Sequence, residues 1–137
     1  MEDIPAQREV DEFILRRIDS VPQLEALLLL WTSRPREWSV DDMAKALYVR
    51  TDMAQAILED LAQRELISDV PNQSGRYVYA VHSDEQNRLM QAVDRTYRHE
   101  LVRISTMIHA QASSALRDFA RAFRFTKEKD KSDKDKE

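Results

Sequence analysis

The side chains best equipped for recognition chemistry lie in the segment TDMAQAILEDLAQ, residues 51–63. Gln55 carries a carboxamide that donates and accepts at once, the pattern that pairs with an adenine edge. Ala56 and Met53 suit contact with a thymine methyl, Asp52 accepts from the amino group of cytosine, and Thr51 reaches a phosphate oxygen. Lys45, Arg50 and Arg76 are the obvious candidates nearby for phosphate contacts, and Gln73 is a neutral donor in the polar stretch before Arg76.

No residue set points to catalysis. His82, His99 and His109 lack metal-ligand spacing, and neighbours such as His99 and Glu100 point to different helix faces. The chain has no nucleophile motif, glycine-rich phosphate loop or paired carboxylates, and no cysteine for a disulfide or thiolate site. The expectation is therefore a protein that is not an enzyme and holds neither cofactor nor metal.

The chemistry-bearing segment must be positioned by helices. One glycine and four prolines in 137 residues leave little for the tight turns of an all-β fold. Hydrophobic residues at 42% allow a core, and charged residues at 34% suit long solvated helices. The net charge of −4 runs against the usual basic balance of nucleic-acid binders. The longest apolar run, LEALLLLW, is far short of the ~20 residues that span a bilayer. The opening MEDIPAQREVDEF is acidic and does not look like a secretory signal. A cytoplasmic location without membrane contact is expected.

Apolar spacing gives the elements. Val10, Phe13, Ile14 and Ile18 form one stripe on a lead-in helix over residues 1–19, with Pro5 tolerated at its start. Ser20 is placed to cap a second helix, reaching about Ser33 and stopped by Pro35. Its Leu24, Leu27, Leu28, Leu30 and Trp31 cover more than half its circumference, so it is buried on several sides. Glu37–Ser39 reads as a short strand, and Ser39 with Asp42 as a weak relative of the capping box. A third helix follows to about Tyr48, with Met43, Ala44 and Leu47 inward. Thr51 is the expected cap of a fourth, to about Arg64, with Ala54, Ile57, Leu58 and Leu61 inward and Asp52, Met53, Gln55, Ala56, Glu59 and Asp60 outward. Ile67–Val70 and Tyr77–Val81 read as strands around the polar turn PNQSGR, whose Gly75 suits a positive φ.

From Ser83 onward, Leu89, Val93, Tyr97, Leu101, Ile104, Ile108, Ala112, Ala115, Phe119 and Ala122 recur near the helical period without proline or glycine. One unbroken helix of roughly 40 residues would be ~60 Å long. The small residues at 111–115 are the candidate bend, and the stripe is either internal core or a dimer seam. Arginines and lysines from Arg117 to Lys129 alternate with Phe119, Phe123 and Phe125. Such a segment can meet nucleic acid, an anionic membrane or a partner groove, but packing of the phenylalanines on a neighbouring helix is the favoured reading. The closing KEKDKSDKDKE has no apolar residue to pack and reads as disordered.

The run DMAKALYVRTDMAQAILEDLAQRELI resembles the helix-turn-helix core of bacterial winged-helix regulators of the broad MarR-like type. Ala44, Leu47, Val49, Leu58, Leu61, Leu66 and Ile67 carry the match, over about 60 residues. The resemblance implies a mainly α fold: a winged helix-turn-helix with a two-stranded wing, an N-terminal helix and a long C-terminal dimerisation helix. It divides the chain into an arm (1–19), a winged helix (20–82), dimerisation helices (83–126) and a charged tail (127–137). It further implies a homodimeric transcriptional regulator whose fourth helix enters the major groove of double-stranded DNA. Lys45, Arg50, Thr51, Asp52, Gln55, Ala56, Gln73 and Arg76 would form the contacts. A small-molecule effector between winged helix and long helices is compatible with it, though no residue singles one out. Two departures stand out. Glu65 occupies the place of a common glycine, so the fourth helix is expected to end without the usual left-handed glycine cap. Residues 20–82 hold six Lys or Arg against nine Asp or Glu. That balance keeps open a second reading, a winged helix that binds a basic protein partner instead of DNA.

Overall fold

Leu24, Leu27 and Leu30 of one helix, Met43 of a second and Leu58 and Leu61 of a third are fully buried and make the centre of the fold. A computed structural model describes residues 6–80, 82–113 and 120–121. The elements are α1 (Gln7–Arg17), α2 (Val21–Ser33), β1 (Trp38–Ser39), α3 (Val40–Leu47), α4 (Thr51–Gln63), β2 (Ile67–Asp69), β3 (Arg76–Tyr79) and α5 (Asp84–His99). A further helix, α6, is described over 101–113. Helix α2 packs against α3, α4, α5 and β3, so its wide apolar surface meets a partner on several sides.

The strands form one antiparallel sheet in the order β1-β3-β2. Trp38 pairs with Tyr77 and Ser39 with Arg76, while Ile67, Ser68 and Asp69 pair with Tyr79, Val78 and Tyr77. Tyr77 and Tyr79 are buried and Val78 is half-buried between them, the alternation of a strand with one face on the core. The hairpin turn closes through Val70 N–H to Arg76 O at 2.9 Å, with Gly75 at φ +82°. Three helices, a strand between the first two, and a hairpin after the third make this a winged helix-turn-helix. All three expected strands are present, β1 over Trp38–Ser39, β2 ending at Asp69 and β3 ending at Tyr79; Val81 lies outside the described residues.

Serine caps set three helix starts. Ser20, Ser39 and Ser83 hydroxyls accept from the N–H groups of Gln23, Asp42 and Gln86. Thr51 does not act as the cap of α4: it is already the first helical residue, and the N-cap is Arg50, with no side-chain bond. The end of α4 keeps the left-handed cap without the glycine. Glu65 is left-handed at φ 62° although it is not glycine. Its N–H reaches Ala62 O at 3.0 Å and the Leu66 N–H reaches Leu61 O at 3.1 Å, the Schellman pair that closes a helix end. Burial of Leu66 beside that turn holds the conformation against its steric cost.

The unbroken helix expected after Ser83 is interrupted at Glu100 (φ −129°, ψ 45°). No glycine or proline marks the break, which explains why a spacing argument passes over it. Tertiary contacts hold it: the Arg103 guanidinium bonds Glu100 at 2.9 Å and Asp11 of α1 at 3.0 and 3.3 Å. The break resets the apolar face. Leu101, in phase with Val93 and Tyr97 on paper, is 50% exposed and Val102 is 77% exposed. Ile104 and Ile108 are buried, with α1 alongside through Arg103–Asp11 and a 2.7 Å bond from Gln111 Nε2 to Leu15 O. The stripe beyond Ala112, most of the basic-aromatic segment and the charged tail fall outside the described residues, as do the last two positions of the expected bend at 111–115.

Candidate nucleic-acid interface

Helix α4 buries one side and leaves the other bare. Ala54, Ile57, Leu58 and Leu61 are in the core; Thr51, Asp52, Met53, Gln55, Ala56 and Glu59 are exposed. This division matches the outward set drawn from spacing, with one correction. Asp60 does not join that face. It is half-buried, accepts from Gln23 Nε2 and from Arg64 Nε, and serves the fold.

The exposed polar groups on α4 are engaged with one another. Arg50 Nη2 lies 3.3 Å from Asp52 Oδ2, a pair with side chains 86% and 71% exposed. Asp52 Oδ1 also accepts from the Met53 N–H at 2.9 Å. Gln55 Nε2 donates to Glu59 Oε1 at 3.0 Å. Both contacts are solvent-exposed and therefore weak, so a ligand offering a better acceptor can replace them. Thr51, Ala56 and Lys45 are exposed, and Lys45 has no ion pair among the described residues.

The wing places Gln73 in the exposed turn Pro71–Ser74, where its backbone N–H bonds Val70 O at 3.2 Å. Arg76 is not at the tip. It begins β3 at the wing's base, 3.6 Å from Glu37, and its buried Nε has no hydrogen-bond partner. The predicted residues thus fall into two groups: Lys45, Arg50, Thr51, Asp52, Gln55 and Ala56 along α3 and α4, and Gln73 with Arg76 on the hairpin.

One exposed residue at this surface escaped sequence reasoning. Tyr48, in the link between α3 and α4, is 95% exposed and left-handed at φ 56°. A bulky side chain in that conformation is uncommon. The signal available was its position in the helix-turn-helix link, with an aromatic where glycine or asparagine would relax the backbone.

Above α3, an open cavity of about 270 Å³ lies between α2, α3 and α5. Leu28, Leu29, Leu47 and Asp94 help line it, as do Glu25 and Tyr97, whose hydroxyl donates to Glu25 Oε1 at 2.7 Å. Among the described residues no cluster of His, Asp and Glu could hold a metal ion, and no helix is long and apolar enough to cross a membrane.

No protein-family model and no curated protein matches the chain. Among solved structures, it is similar to MepR, a transcription regulator of the Staphylococcus aureus multidrug efflux pump MepA. That similarity has 17% identity and a TM-score of 0.47, over 85% of this chain and 88% of that one. It is also similar to a MarR family protein from Bacillus stearothermophilus, at 13% identity and a TM-score of 0.48 over 90% and 83% of the two chains.

Proposed function

We propose that this chain is a homodimeric, sequence-specific DNA-binding regulator of transcription that acts in the cytoplasm. The observation that carries the reading is the bare outer face of α4, flanked by a wing and held by a buried inner face. In a winged helix this is the surface that enters a major groove. Gln55 and Ala56, with Asp52, read base edges; Lys45, Arg50 and Thr51 hold phosphates, with Gln73 and Arg76 on the wing side. Binding releases Arg50 from Asp52 and Gln55 from Glu59. The exposed Leu101 and Val102 on α6 support a seam for a second copy, which sets two α4 helices on two half-sites. The division into arm, winged helix, dimerisation helices and tail follows this reading. The cavity between α2, α3 and α5 is the place from which a small-molecule effector would act.

The test is retention on duplex DNA at low salt, with selection of bound genomic fragments. Binding that weakens with salt and falls in Arg50→Ala and Gln55→Ala supports the reading. No duplex binding by the intact protein at low salt overturns it.

One observation favours a second reading. Asp52 and Glu59 put two carboxylates on the same exposed face as Met53, which is 44% exposed. That mixture suits a basic protein partner, since methionine and tyrosine are favoured at interface centres.

A further inference from the structure

Gln23 is the one polar side chain sealed into the core among the described residues, at 3% exposure. Burying a carboxamide is costly unless each of its groups finds a partner. Both do. Its Oε1 accepts from the Asp19 N–H at 2.6 Å, and its Nε2 donates to Asp60 Oδ2. The other oxygen of Asp60 accepts from Arg64 Nε at 3.2 Å, and Arg64 Nη2 donates to the Asp19 carboxylate. These residues close a ring: from α2 to α4, along the end of α4, across to the α1–α2 link, and through Asp19 back to Gln23.

The rest of α4 offers no comparable tie. Its inner face is Ala54, Ile57, Leu58 and Leu61, and apolar burial is non-directional. Its N-cap, Arg50, makes no side-chain cap bond, and the polar groups of its outer face bond one another or the helix backbone. Among the described residues, Gln23–Asp60 is the one side-chain hydrogen bond from the body of α4 to another helix. A cylinder on an apolar bed is free to roll about its axis; a bond to one point of its circumference stops the roll. A roll of about 20° moves a side-chain tip ~6 Å from the axis by ~2 Å. That exceeds the ~0.5 Å range over which a hydrogen bond holds. Ala56 stands one turn before Asp60 on the same side of the helix, so the angle fixed at Asp60 is the angle at which the exposed face is presented.

We propose that Gln23 is a positioning residue for recognition by α4: acting through Asp60, it sets the roll of the exposed face and thereby determines sequence discrimination, an inference that rests on the DNA reading above. Lys45 and Arg50 reach phosphates on flexible stems and follow such a roll, whereas the contacts of Gln55 and Ala56 to base edges do not. Gln23 is therefore expected to govern the preference for one sequence over another and to leave bulk affinity for duplex nearly untouched.

The test exchanges the polarity of the bond. Gln23→Glu combined with Asp60→Asn keeps every donor facing an acceptor: the new carboxylate accepts from the Asp19 N–H and from the new amide, whose oxygen still accepts from Arg64 Nε. Either substitution alone sets acceptor against acceptor or donor against donor. Urea midpoints of wild type, both single variants and the double variant report the ring itself. Positioning is read by anisotropy on a labelled duplex carrying a genomic fragment retained by the wild type, against a scrambled duplex of the same length and composition. Each single variant should lower the ratio of the two affinities about tenfold, within what one base-edge pair discriminates. The double variant should restore it to within about twofold. If Gln23→Glu does not fold, Asp60→Asn and the double variant carry the comparison. A ratio that stays constant in a discriminating set, whatever the midpoints do, makes Gln23 a stability residue only and overturns the proposal. So does a double variant that recovers the midpoint without the ratio. A wild type that binds no duplex overturns the DNA reading instead, and this inference falls with it.

Discussion

Arg17 and Arg64 each donate to the other's main-chain carbonyl: Arg17 Nη2 to Arg64 O at 2.5 Å and Arg64 Nη1 to Arg17 O at 2.7 Å. These residues end α1 and α4, so the exchange fastens the N-terminal arm to the foot of the exposed helix. Arg64 also bonds Asp19 and Asp60. Burial lowers its pKa and those bonds more than offset this, so the fork stays charged. Arg64→Met should cost about 1–3 kcal/mol, the scale of leaving part-buried acceptors unmatched. Arg64→Lys should recover little of it, because an ammonium does not span three acceptors as a planar fork does. Urea denaturation at unchanged m-value is the measurement. A loss no larger than that of Arg8→Met, an exposed pair within α1, would contradict the assignment.

The bond from Tyr97 to Glu25 predicts a stability that depends on alkaline pH. Burial and then this bond raise the Tyr97 pKa well above the ordinary 10.0. The unfolded chain releases the proton near that ordinary value, while the folded chain keeps it. The contribution is therefore complete below pH ~10 and is lost progressively as pH rises above it. Tyr77 and Tyr79 shift in the same direction through burial. Tyr97→Phe should cost about 1.5–3 kcal/mol at pH 7, the range for a bond to a charged acceptor. That cost should shrink at pH 11. A difference between the two proteins that stays constant across this range would refute the linkage.

Glu65 offers a stabilising substitution. The left-handed conformation costs a residue with a Cβ about 1–2 kcal/mol. Glycine removes that cost but adds about 0.4–1 kcal/mol of freedom to the unfolded chain. The first effect is larger, so Glu65→Gly should stabilise by roughly 0.5–1 kcal/mol and raise Tm by a few degrees. Glu65→Ala keeps the strain and should give almost no gain. Equal melting temperatures for the two variants would count against a strained cap.

The proposed DNA contacts have an electrostatic signature. The proposed cations are Lys45, Arg50 and Arg76, the last two of which must exchange an intramolecular carboxylate for a phosphate. Three contacts per protomer give a slope near −2.7 in log K against log salt, about −5.4 for a dimer. Asp52→Asn should release Arg50 and tighten binding to mixed-sequence duplex about fivefold, the scale of ~1 kcal/mol for exposed charges. Tyr48→Phe tests whether the exposed phenol adds a neutral phosphate bond: affinity falls at every salt concentration and the slope stays put. Fluorescence anisotropy with a labelled duplex reads all three. Looser binding by Asp52→Asn would mean that the proposed base contact of Asp52 outweighs its hold on Arg50.

The core was legible because its signal is periodic. The stripes Val10–Ile18, Met43–Leu47 and Ala54–Leu61 each repeat at helical spacing, and each contributes buried residues. The wing was legible from its polar turn and single glycine. What spacing missed was decided over long separations. Asp60 looks like a surface acid until Gln23 of α2, far off in sequence, is seen to hold it together with Arg64 one turn along. Glu65 and Tyr48 adopt a backbone that their side chains disfavour, so composition argued against it. The break at Glu100 depends on Asp11, far off in sequence and adjacent in space. In the interface, outward orientation was readable along α4, but the Arg50–Asp52 and Gln55–Glu59 pairings and the place of Arg76 at the wing's base were not.

The interruption at Glu100 changes how this chain tolerates length variation. In one continuous rod, an added residue would rotate everything beyond it by about 100° and turn the whole seam away from its partner surfaces. Here the angular registration of α5 against the winged helix and that of α6 against α1 are set separately, by Tyr97–Glu25 on one side and Arg103–Asp11 on the other. The bend is thus the place where an inserted or deleted residue turns α6 without turning α5, with α1, which packs against both, taking up the change.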